Sequence, residues 1–311
     1  MTTATRSSVR LVALRGAFDL RLTSAFGFGQ REAGHDQDVL ELAFLLEPTW
    51  EPVAVLVRQP APDALELEVT GPADVDAAVA QALRVISADV DATGWDALCA
   101  ADPVLGRIRS AKPGLRPPLF HSAYEALAWC VLSARRPHAQ GVALRERLNR
   151  AHGTVLDVAA GPGAGGGGGG AELTVLPSPE QLLAVTELPG LPEVKLRRLH
   201  GIARAALDGQ LATDELRAVD PVDAILRLRE LEGIGPCYAE LVTVRALGHT
   251  DVVPLLEPAV AAVAGALLTG NGPLTAAELA TRTAAWSPWR TWACVAMRSA
   301  GPALVGATTS R

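Results

Sequence analysis

The stretch Leu231-Glu232-Gly233-Ile234-Gly235 separates two helical patterns and decides the fold of the second half of the chain. Residues 226–231 before it form a short amphipathic run, and Pro236 after it opens a second run that ends at Gly248. Proline at the first helical position and glycine after the last one are typical of helix ends. The sequence therefore predicts two helices joined by a tight glycine turn.

The glycines of this turn also predict a binding surface. Glycine permits positive φ angles and lets the main chain approach a ligand closely. The N–H groups exposed at the start of a helix attract anions such as phosphate. We therefore expect Gly233, Ile234, Gly235 and Pro236 to form an anion site made of main chain, although the same pattern also suits a plain helical hairpin.

The first part of the chain shows strand patterns. Short β-branched or alternating runs, bounded by Gly, Pro or Asp, predict antiparallel strands at 9–14, 53–57 and 65–69. Residues 74–86 then carry apolar side chains at helical spacing. These patterns predict an N-terminal α/β domain over residues 1–112, which ends at a proline-rich junction.

The second part, residues 113–311, is predicted to be an all-α domain. Helical periodicity covers 124–132, 139–148, 179–186, 193–207 and 221–231. The glycine run at 161–170 interrupts this pattern. Because glycine loses the most conformational freedom on folding, we expect the run to be a flexible loop between helices.

Composition places the protein among compact globular chains. Its 311 residues are 49% apolar and 20% charged, which suits two ordinary domains. The sequence contains no uninterrupted run of about 20 apolar residues, so it predicts no membrane span. Its first residues are polar and predict no secretion signal. We therefore expect a cytoplasmic protein. The four cysteines lie far apart and predict reduced, mostly buried thiols, with no metal held by side chains.

The net charge of −6 argues by itself against a nucleic-acid partner. Basic residues nevertheless cluster at Arg135 and Arg136, and again between Lys195 and Arg204. Such clusters predict a locally basic face that can bind DNA, although ordinary solvated helix faces explain them equally well.

Several motifs along the chain carry a resemblance to a known family. They are Asp102-Pro103-Val104-Leu105-Gly106-Arg107, Lys112-Pro113-Gly114-Leu115-Arg116, Ala123-Tyr124-Glu125-Ala126-Leu127, Leu188-Pro189-Gly190-Leu191, the segment 231–240, Asp251-Val252-Val253-Pro254, and Trp286-Ser287-Pro288-Trp289-Arg290. In these motifs the chain resembles the helix-hairpin-helix (HhH-GPD) base-excision DNA glycosylase superfamily, as a divergent member of the bacterial 3-methyladenine DNA glycosylase II branch.

The resemblance implies a fold, a partner and an activity. The expected fold is α+β, with an N-terminal α/β domain like half of a TATA-binding protein, followed by an all-α domain in two helical subdomains. The expected partner is double-stranded DNA, bound by a monomer. The expected reaction is hydrolysis of the N-glycosidic bond of a flipped, damaged purine, and the only cofactor implied is a monovalent cation held by backbone carbonyls at the hairpin.

Glu257 is the catalytic candidate that the resemblance implies. The family places an aspartate at the end of a Pro-x-Asp-Asp stretch, and this chain reads Pro254-Leu255-Leu256-Glu257 there. The acid is one methylene longer than in the family, and a displacement of about 1 Å can cost about a hundredfold in rate. An equally good interpretation is a structural acid at a helix start, with Pro258 at the first helical position.

The predicted base pocket consists of Cys237, Leu241 and Arg298. Cys237 falls where bifunctional relatives have a Schiff-base lysine, which excludes lyase chemistry through an amine there. Leu241 and Arg298 fall at or near aromatic positions, and a cationic Arg298 would repel a positively charged base. Arg135 is expected to fill the stack that a flipped base vacates.

Three functions are compatible with these patterns. The first is a monofunctional glycosylase that uses Glu257. The second is a catalytically lapsed DNA-binding protein that recognises distorted duplex without removing a base. In the third, the acidic N-terminal domain binds proteins and DNA plays no part, for which the net charge is the support. Trp286, Trp289 and Trp292 are interpreted as packing for the last helix, with a sugar or base platform as the alternative.

Overall fold

The computed structural model describes residues 7–26, 38–71, 74–158 and 171–309. The strands are β1 (Ser7–Ala13), β2 (Val39–Leu46), β3 (Glu51–Ala61), β4 (Ala64–Thr70), β5 (Thr154–Val158) and β6 (Ala171–Val175). The helices are α1 (Leu20–Ser24), α2 (Val75–Val85), α3 (Thr93–Ala101), α4 (Pro103–Ala111), α5 (Ala123–Ser133), α6 (His138–His152), α7 (Pro179–Leu183), α8 (Glu193–Leu207), α9 (Thr213–Ala218), α10 (Pro221–Leu228), α11 (Pro236–Arg245), α12 (Pro258–Thr269), α13 (Ala276–Thr283) and α14 (Arg290–Thr309), with a short 3-10 helix at Ala284–Trp286.

An antiparallel sheet in the order β1-β4-β3-β2 forms the N-terminal part. Alternate residues of β4, namely Leu65, Leu67 and Val69, are buried and share one apolar cluster with α2. Asp74 caps α2 by accepting a hydrogen bond from the N–H of Ala77. The three predicted strands overlap β1, β3 and β4, and the predicted helix is α2, because alternation and capping are local signals.

The prediction that the second half is all-α is wrong. It contains a β-hairpin, in which β5 pairs antiparallel with β6 from Thr154↔Val175 to Val158↔Ala171. Val158 packs with Ala54 and Leu56 of β3, so this hairpin is stabilised by a sheet about a hundred residues earlier in the chain. The glycine run at 161–170, predicted to be a flexible loop between helices, lies outside the described residues.

The helices surround two apolar cores. The first core is built around α5, whose residues 123–132 are all buried, and takes side chains from α6, α7, α8, α10 and α11. The second core joins α3 and α4 to α12, α13 and α14. Trp292 and Trp286 lie in this second core with 3% of their surface exposed, which confirms that the tryptophans pack the last helix. Within the described ranges no helix is both long and apolar enough to cross a bilayer.

Arg116 joins the N-terminal sheet to the last helix. Its buried guanidinium donates hydrogen bonds of 2.6–3.1 Å to five carbonyl oxygens, those of Arg15, Gly16, Ala17, Ser87 and Val90. It also lies 5.6 Å from the centroid of the Phe18 ring and 5.9 Å from that of Trp292. Burial lowers the pKa of Arg116 to about 10, which leaves it charged at neutral pH. The domain division at residues 112 and 113 stays a prediction.

Candidate nucleic-acid interface and active site

The turn between α10 and α11 needs its two glycines for different reasons. Gly233 adopts a φ of +88°, and a Cβ there would lie 2.6 Å from Cδ of Arg198. Gly235 has a φ of −85° and is the residue before the first of α11, and a Cβ there would meet nothing within 4 Å. Gly233 is therefore required by the turn itself, whereas Gly235 borders open space.

The start of α11 presents unused hydrogen-bond donors. In the described part of the chain, the N–H groups of Gly235, Cys237 and Tyr238 donate to no acceptor, and Pro236 has no N–H. Ile234 is buried in the first core with 4% of its surface exposed. Of the four residues predicted to bind an anion, Ile234 therefore anchors the turn in the core. The glycine and proline positions leave the main chain of the turn exposed.

Two arginines of α8 lie beside the turn and are paired with an acid. Arg197 and Arg198 donate to the carboxylate of Glu232 at 3.0 and 3.4 Å. The hydrogen bond from Arg197 and the nearby positive charges lower the pKa of Glu232. Glu232 therefore stays ionised and partly neutralises the positive charge next to the exposed N–H groups.

The loop between α5 and α6 carries the predicted plugging residues. Arg135 is exposed and has a φ of +56°, in the left-handed region that few residues other than glycine adopt. Arg136 donates a 2.6 Å hydrogen bond to the carbonyl of Gly190 and is thereby tied down. Lys195 Nζ donates to the carbonyls of Leu132 and Ala134 at 3.2 and 2.7 Å, which fixes the base of the loop. Only Arg135 projects freely.

Lys195 connects this loop electrostatically to the hairpin. Burial lowers the pKa of Lys195, and the positive charges of Arg136 and Arg198 lower it further. One arginine of the loop and one arginine of α8 are thus both close enough to Lys195 to act on its charge. We call this surface the basic patch; it comprises Arg135, Arg136, Lys195, Arg197 and Arg198.

Glu257 lies at the start of α12, as expected if it is a structural acid at a helix start. Its Oε1 accepts the N–H of Ala259 at 3.4 Å, and Pro258 is the first helical residue. The same Oε1 lies 3.8 Å from Nε of Arg298 on α14, which makes an ion pair. Among the described residues Oε2 has no partner, and about a third of the side chain, 35%, is exposed. Capping therefore occupies one oxygen and leaves the other uncommitted.

Glu240 holds the loop that presents Glu257. From α11 its two carboxylate oxygens accept the N–H groups of Leu255 and Leu256, each at 3.0 Å. Burial raises the pKa of Glu240 and the charge of Glu257 adds to the rise, while the two hydrogen bonds oppose it. The sequence motifs did not predict a role for Glu240, although an acid three positions after Cys237 in a mostly apolar run was a usable signal.

Asp251 fixes the other end of the same loop. Its carboxylate accepts hydrogen bonds from Arg290 Nε at 2.6 Å, from Arg290 Nη2 at 2.9 Å and from the Ser287 hydroxyl at 2.8 Å. Partial burial opposes the charged form, but these hydrogen bonds outweigh it and lower the pKa of Asp251. Residues 251–257, which we call the catalytic loop after its candidate residue Glu257, are therefore held between two carboxylates.

Comparisons with known proteins show which chains resemble this one in sequence and in fold. A Mycobacterium tuberculosis protein described as a probable bifunctional transcriptional activator/DNA repair enzyme AlkA is 27% identical over 239 residues, which are 75% of this chain and 45% of that protein. The DNA-3-methyladenine glycosylase of Bacillus subtilis is 25% identical over 210 residues, 66% of each chain. The solved 3-methyladenine DNA-glycosylase from Archaeoglobus fulgidus has the same fold, with a TM-score of 0.72 at 16% identity, over 93% of this chain and 97% of that one.

The chain is thus similar in sequence to proteins described as a DNA repair enzyme AlkA and a DNA-3-methyladenine glycosylase, and it shares the fold of a solved glycosylase. No family model matches the sequence. The chain also spans only 45% of the length of the mycobacterial relative.

The three residues of the predicted base pocket differ in their surroundings. Cys237 is exposed, and burial of part of its surface together with the charges of Glu240 and Glu257 raises the pKa of its thiol. Leu241 is half-buried and packs against the first helical core. Arg298 is half-exposed at 45% and faces Glu257. The structure thus brings Glu257, Arg298 and Cys237 together, while Leu241 belongs mainly to the core.

Proposed function

We propose that this helix-hairpin-helix protein is a monofunctional DNA glycosylase of base-excision repair that removes a modified purine from double-stranded DNA. The observation that carries the proposal is the uncommitted Oε2 of Glu257, on a loop that follows directly after a hairpin with open N–H groups. The descriptions of the mycobacterial and Bacillus relatives support it, since both name a DNA repair enzyme or glycosylase.

The hairpin and the basic patch supply binding to the duplex. A backbone phosphate accepts the free N–H groups of Gly235, Cys237 and Tyr238, where the dipole of α11 also favours an anion. The basic patch neutralises neighbouring phosphates. Arg135, which projects from its loop in a left-handed conformation, fills the space that the flipped nucleotide leaves.

The Glu257 carboxylate serves the reaction in two ways. Its negative charge stabilises the oxocarbenium-like sugar that forms as the bond from C1′ to the base nitrogen breaks. Its free Oε2 accepts a proton from the water whose oxygen bonds to C1′, and the electron pair of the broken bond leaves with the base. Cys237 carries no amine, so the product at this position is a hydrolysed sugar and not a Schiff base.

The residues of the hairpin also fit a monovalent cation. The carbonyl oxygens of Glu232, Gly233 and Ile234 accept no hydrogen bond from any described residue. Uncommitted carbonyls are suitable ligands for a hard cation. Such an ion would be held by these three residues and would add positive charge beside the phosphate.

Three finer expectations belong to the same proposal. The N-terminal sheet with α2 forms a domain of the kind seen in half of a TATA-binding protein, and the chain divides near residue 112. The enzyme acts as a monomer. It works in the cytoplasm.

Glu257→Gln tests the glycosylase proposal, with Glu230→Gln, an exposed acid beside the hairpin, as the matched control. Duplexes that carry single alkylated or deaminated purines are treated with each protein, and the abasic product is measured in single-turnover reactions. We expect Glu257→Gln to slow release by roughly 10²- to 10⁴-fold, the usual contribution of a general base, with little change in duplex affinity. Equal rates would remove Glu257 from the mechanism, and no release from any lesion by the unmodified protein would contradict the glycosylase proposal.

The lapsed DNA-binding protein is the second candidate, and one observation favours it. Glu257 caps α12 and pairs with Arg298, so it has a structural role that explains its presence without catalysis. This candidate predicts salt-dependent duplex binding that Arg135→Glu weakens, together with no base release. Binding with no dependence on salt would contradict both DNA functions.

A further inference from the structure

Arg298 is the feature of the site that the proposed reaction does not yet use. It lies on α14 with 45% of its side chain exposed, and its Nε is 3.8 Å from Oε1 of Glu257. At that distance the contact is an ion pair and not a hydrogen bond. A guanidinium has five N–H donors, and those of Arg298 donate to none of the described residues. A strong donor set is therefore open next to the catalytic carboxylate.

The charge of the damaged base decides what such a donor set can do. A purine alkylated on a ring nitrogen is cationic, so it leaves the sugar as a neutral molecule and needs no help with negative charge. A neutral purine, such as a deaminated or oxidised one, takes the bonding electron pair and leaves as an anion. Donors aimed at a negative charge that develops in the transition state are a main source of rate acceleration.

A cationic base would meet opposition in this site. Because Arg298 lies 3.8 Å from Glu257, a cation brought against the carboxylate would also approach the guanidinium. Like charges at such distances repel even at the effective dielectric constant of a protein surface. The first turns of α11 offer no compensating ring, since Cys237 and Leu241 are not aromatic and Tyr238 packs against the first core.

A neutral base meets no such opposition. Its ring nitrogens and carbonyl oxygens can accept hydrogen bonds from the open donors while Arg298 stays paired with Glu257. The guanidinium would then be hydrogen-bonded to the base, on which negative charge develops in the transition state. The carboxylate would face the sugar, on which positive charge develops.

We propose that Arg298 makes this site selective for neutral modified purines, by donating hydrogen bonds to the departing base. The inference rests on the proposed glycosylase function and adds the substrate class. In the reaction, the bond from C1′ to the base nitrogen breaks and its electron pair stays on the base. The oxygen of water bonds to C1′, Glu257 takes a proton from that water, and the base gains its proton from solvent. Arg298 only donates hydrogen bonds and keeps its protons.

The experiment compares two substrates in one buffer at mildly acidic pH. One duplex carries a single hypoxanthine, which is neutral, and the other carries a single N7-methylguanine, which is cationic. The proteins are the unmodified chain, Arg298→Gln, Arg298→Lys and the control Arg282→Gln, which changes an exposed arginine on α13. Base release is measured in single-turnover reactions, and thermal unfolding confirms that each variant is folded.

We expect the unmodified protein to prefer hypoxanthine. Arg298→Gln should slow hypoxanthine release about 100-fold, the size of effect seen when one oxyanion donor is lost, and should not slow N7-methylguanine release. Arg298→Lys keeps the charge but loses the planar fork, so its hypoxanthine rate should be intermediate. The control should behave like the unmodified protein.

Two results would overturn the inference while leaving the proposed function intact. One is a preference of the unmodified protein for N7-methylguanine. The other is an equal slowing of both substrates by Arg298→Gln, which would make Arg298 a general contact. Release from neither substrate by the unmodified protein, nor from any other lesion, would instead contradict the glycosylase function itself, and the inference would fall with it.

Discussion

The hairpin and the catalytic loop lie close together but expose different kinds of chemical group, main-chain N–H groups in the first and a side-chain carboxylate in the second. The hairpin offers main-chain N–H groups at Gly235, Cys237 and Tyr238, and its side chains serve mostly to hold the turn. The catalytic loop offers one side chain, Glu257, and is held in place by two others, Glu240 and Asp251. Main-chain groups are the same in every residue except proline, whereas a carboxylate at a given point depends on particular side chains.

This difference determines what each region requires of the sequence. In the hairpin only the glycine and proline positions matter, because the exposed groups belong to the main chain. The catalytic loop depends on Glu257 and its arginine partner, so its side chains can change without changing the main chain of the hairpin. Binding and catalysis should therefore respond separately to substitution, and four predictions test that separation.

Of these four substitutions, the largest effect is expected from Glu240→Ala, which removes both acceptors that hold Leu255 and Leu256. Base release should fall about 100-fold, because misplacement of the catalytic group by about 1 Å has that cost. Duplex affinity, measured by fluorescence anisotropy, should change little. Glu240→Gln keeps one acceptor oxygen and should be intermediate. A parallel loss of rate and affinity would show that the loop and the hairpin are not independent.

The two glycines of the turn test the hairpin side. Gly233→Ala places a side chain at a φ of +88° and against Arg198, so it should lower the free energy of unfolding by about 1–2 kcal/mol and duplex affinity about tenfold. Gly235→Ala meets open space at a φ of −85° and should leave unfolding unchanged while weakening binding several-fold. Chemical denaturation and anisotropy measure the two quantities. Unchanged affinity in both variants would rule out a phosphate site at this turn.

Asp251→Asn tests the anchor at the start of the catalytic loop. The pKa of Asp251 is lowered in the folded protein, so its charged form stabilises the fold at neutral pH. This contribution is lost as pH falls through the lowered pKa, below the usual aspartate value of about 3.9. At pH 7 the free energy of unfolding of the variant should be about 1–2 kcal/mol lower than that of the unmodified protein. In acid this difference between the two proteins should disappear. Asp223→Asn, on the exposed face of α10, is the control, and a gap that persists in acid would contradict the assignment.

The smallest effect is expected from Glu232→Gln, which frees Arg197 and Arg198 for phosphate. Duplex affinity at low salt should rise several-fold, and the slope of log affinity against log salt should steepen by roughly one for each additional phosphate contact. The exposed Glu187→Gln provides the control. Weaker binding would mean that Glu232 positions the arginines for DNA and does not compete with it.

Local signals account for what the sequence predicted well. Helix α8 was predicted at 193–207 and occurs there, and α11 begins at Pro236 as expected, because periodicity and capping act over a few residues. The hairpin β5–β6 was missed because its support comes from Ala54 and Leu56, far away in the chain. No local pattern reports such a contact.

The same limit applies to the candidate site. The family resemblance pointed to Glu257, Cys237 and Arg298, but nothing in the sequence pairs Arg298 with Glu257. That contact exists because α14 docks on α12 in the second core. Glu240 was missed for the same reason, since its role depends on the loop folding back over α11.

Arg116 has a consequence for the biosynthesis of the chain. The carbonyls that bind its guanidinium come from residues 15–17, 87 and 90, which leave the ribosome before it does. Trp292, which covers it from the other side, follows it by more than 170 residues in the chain. We expect the cation to stay hydrated until α14 has been made, so this part of the chain packs only after α14 is available. A fragment that starts at residue 113 would keep this arginine without its carbonyl partners and should be less stable for that reason.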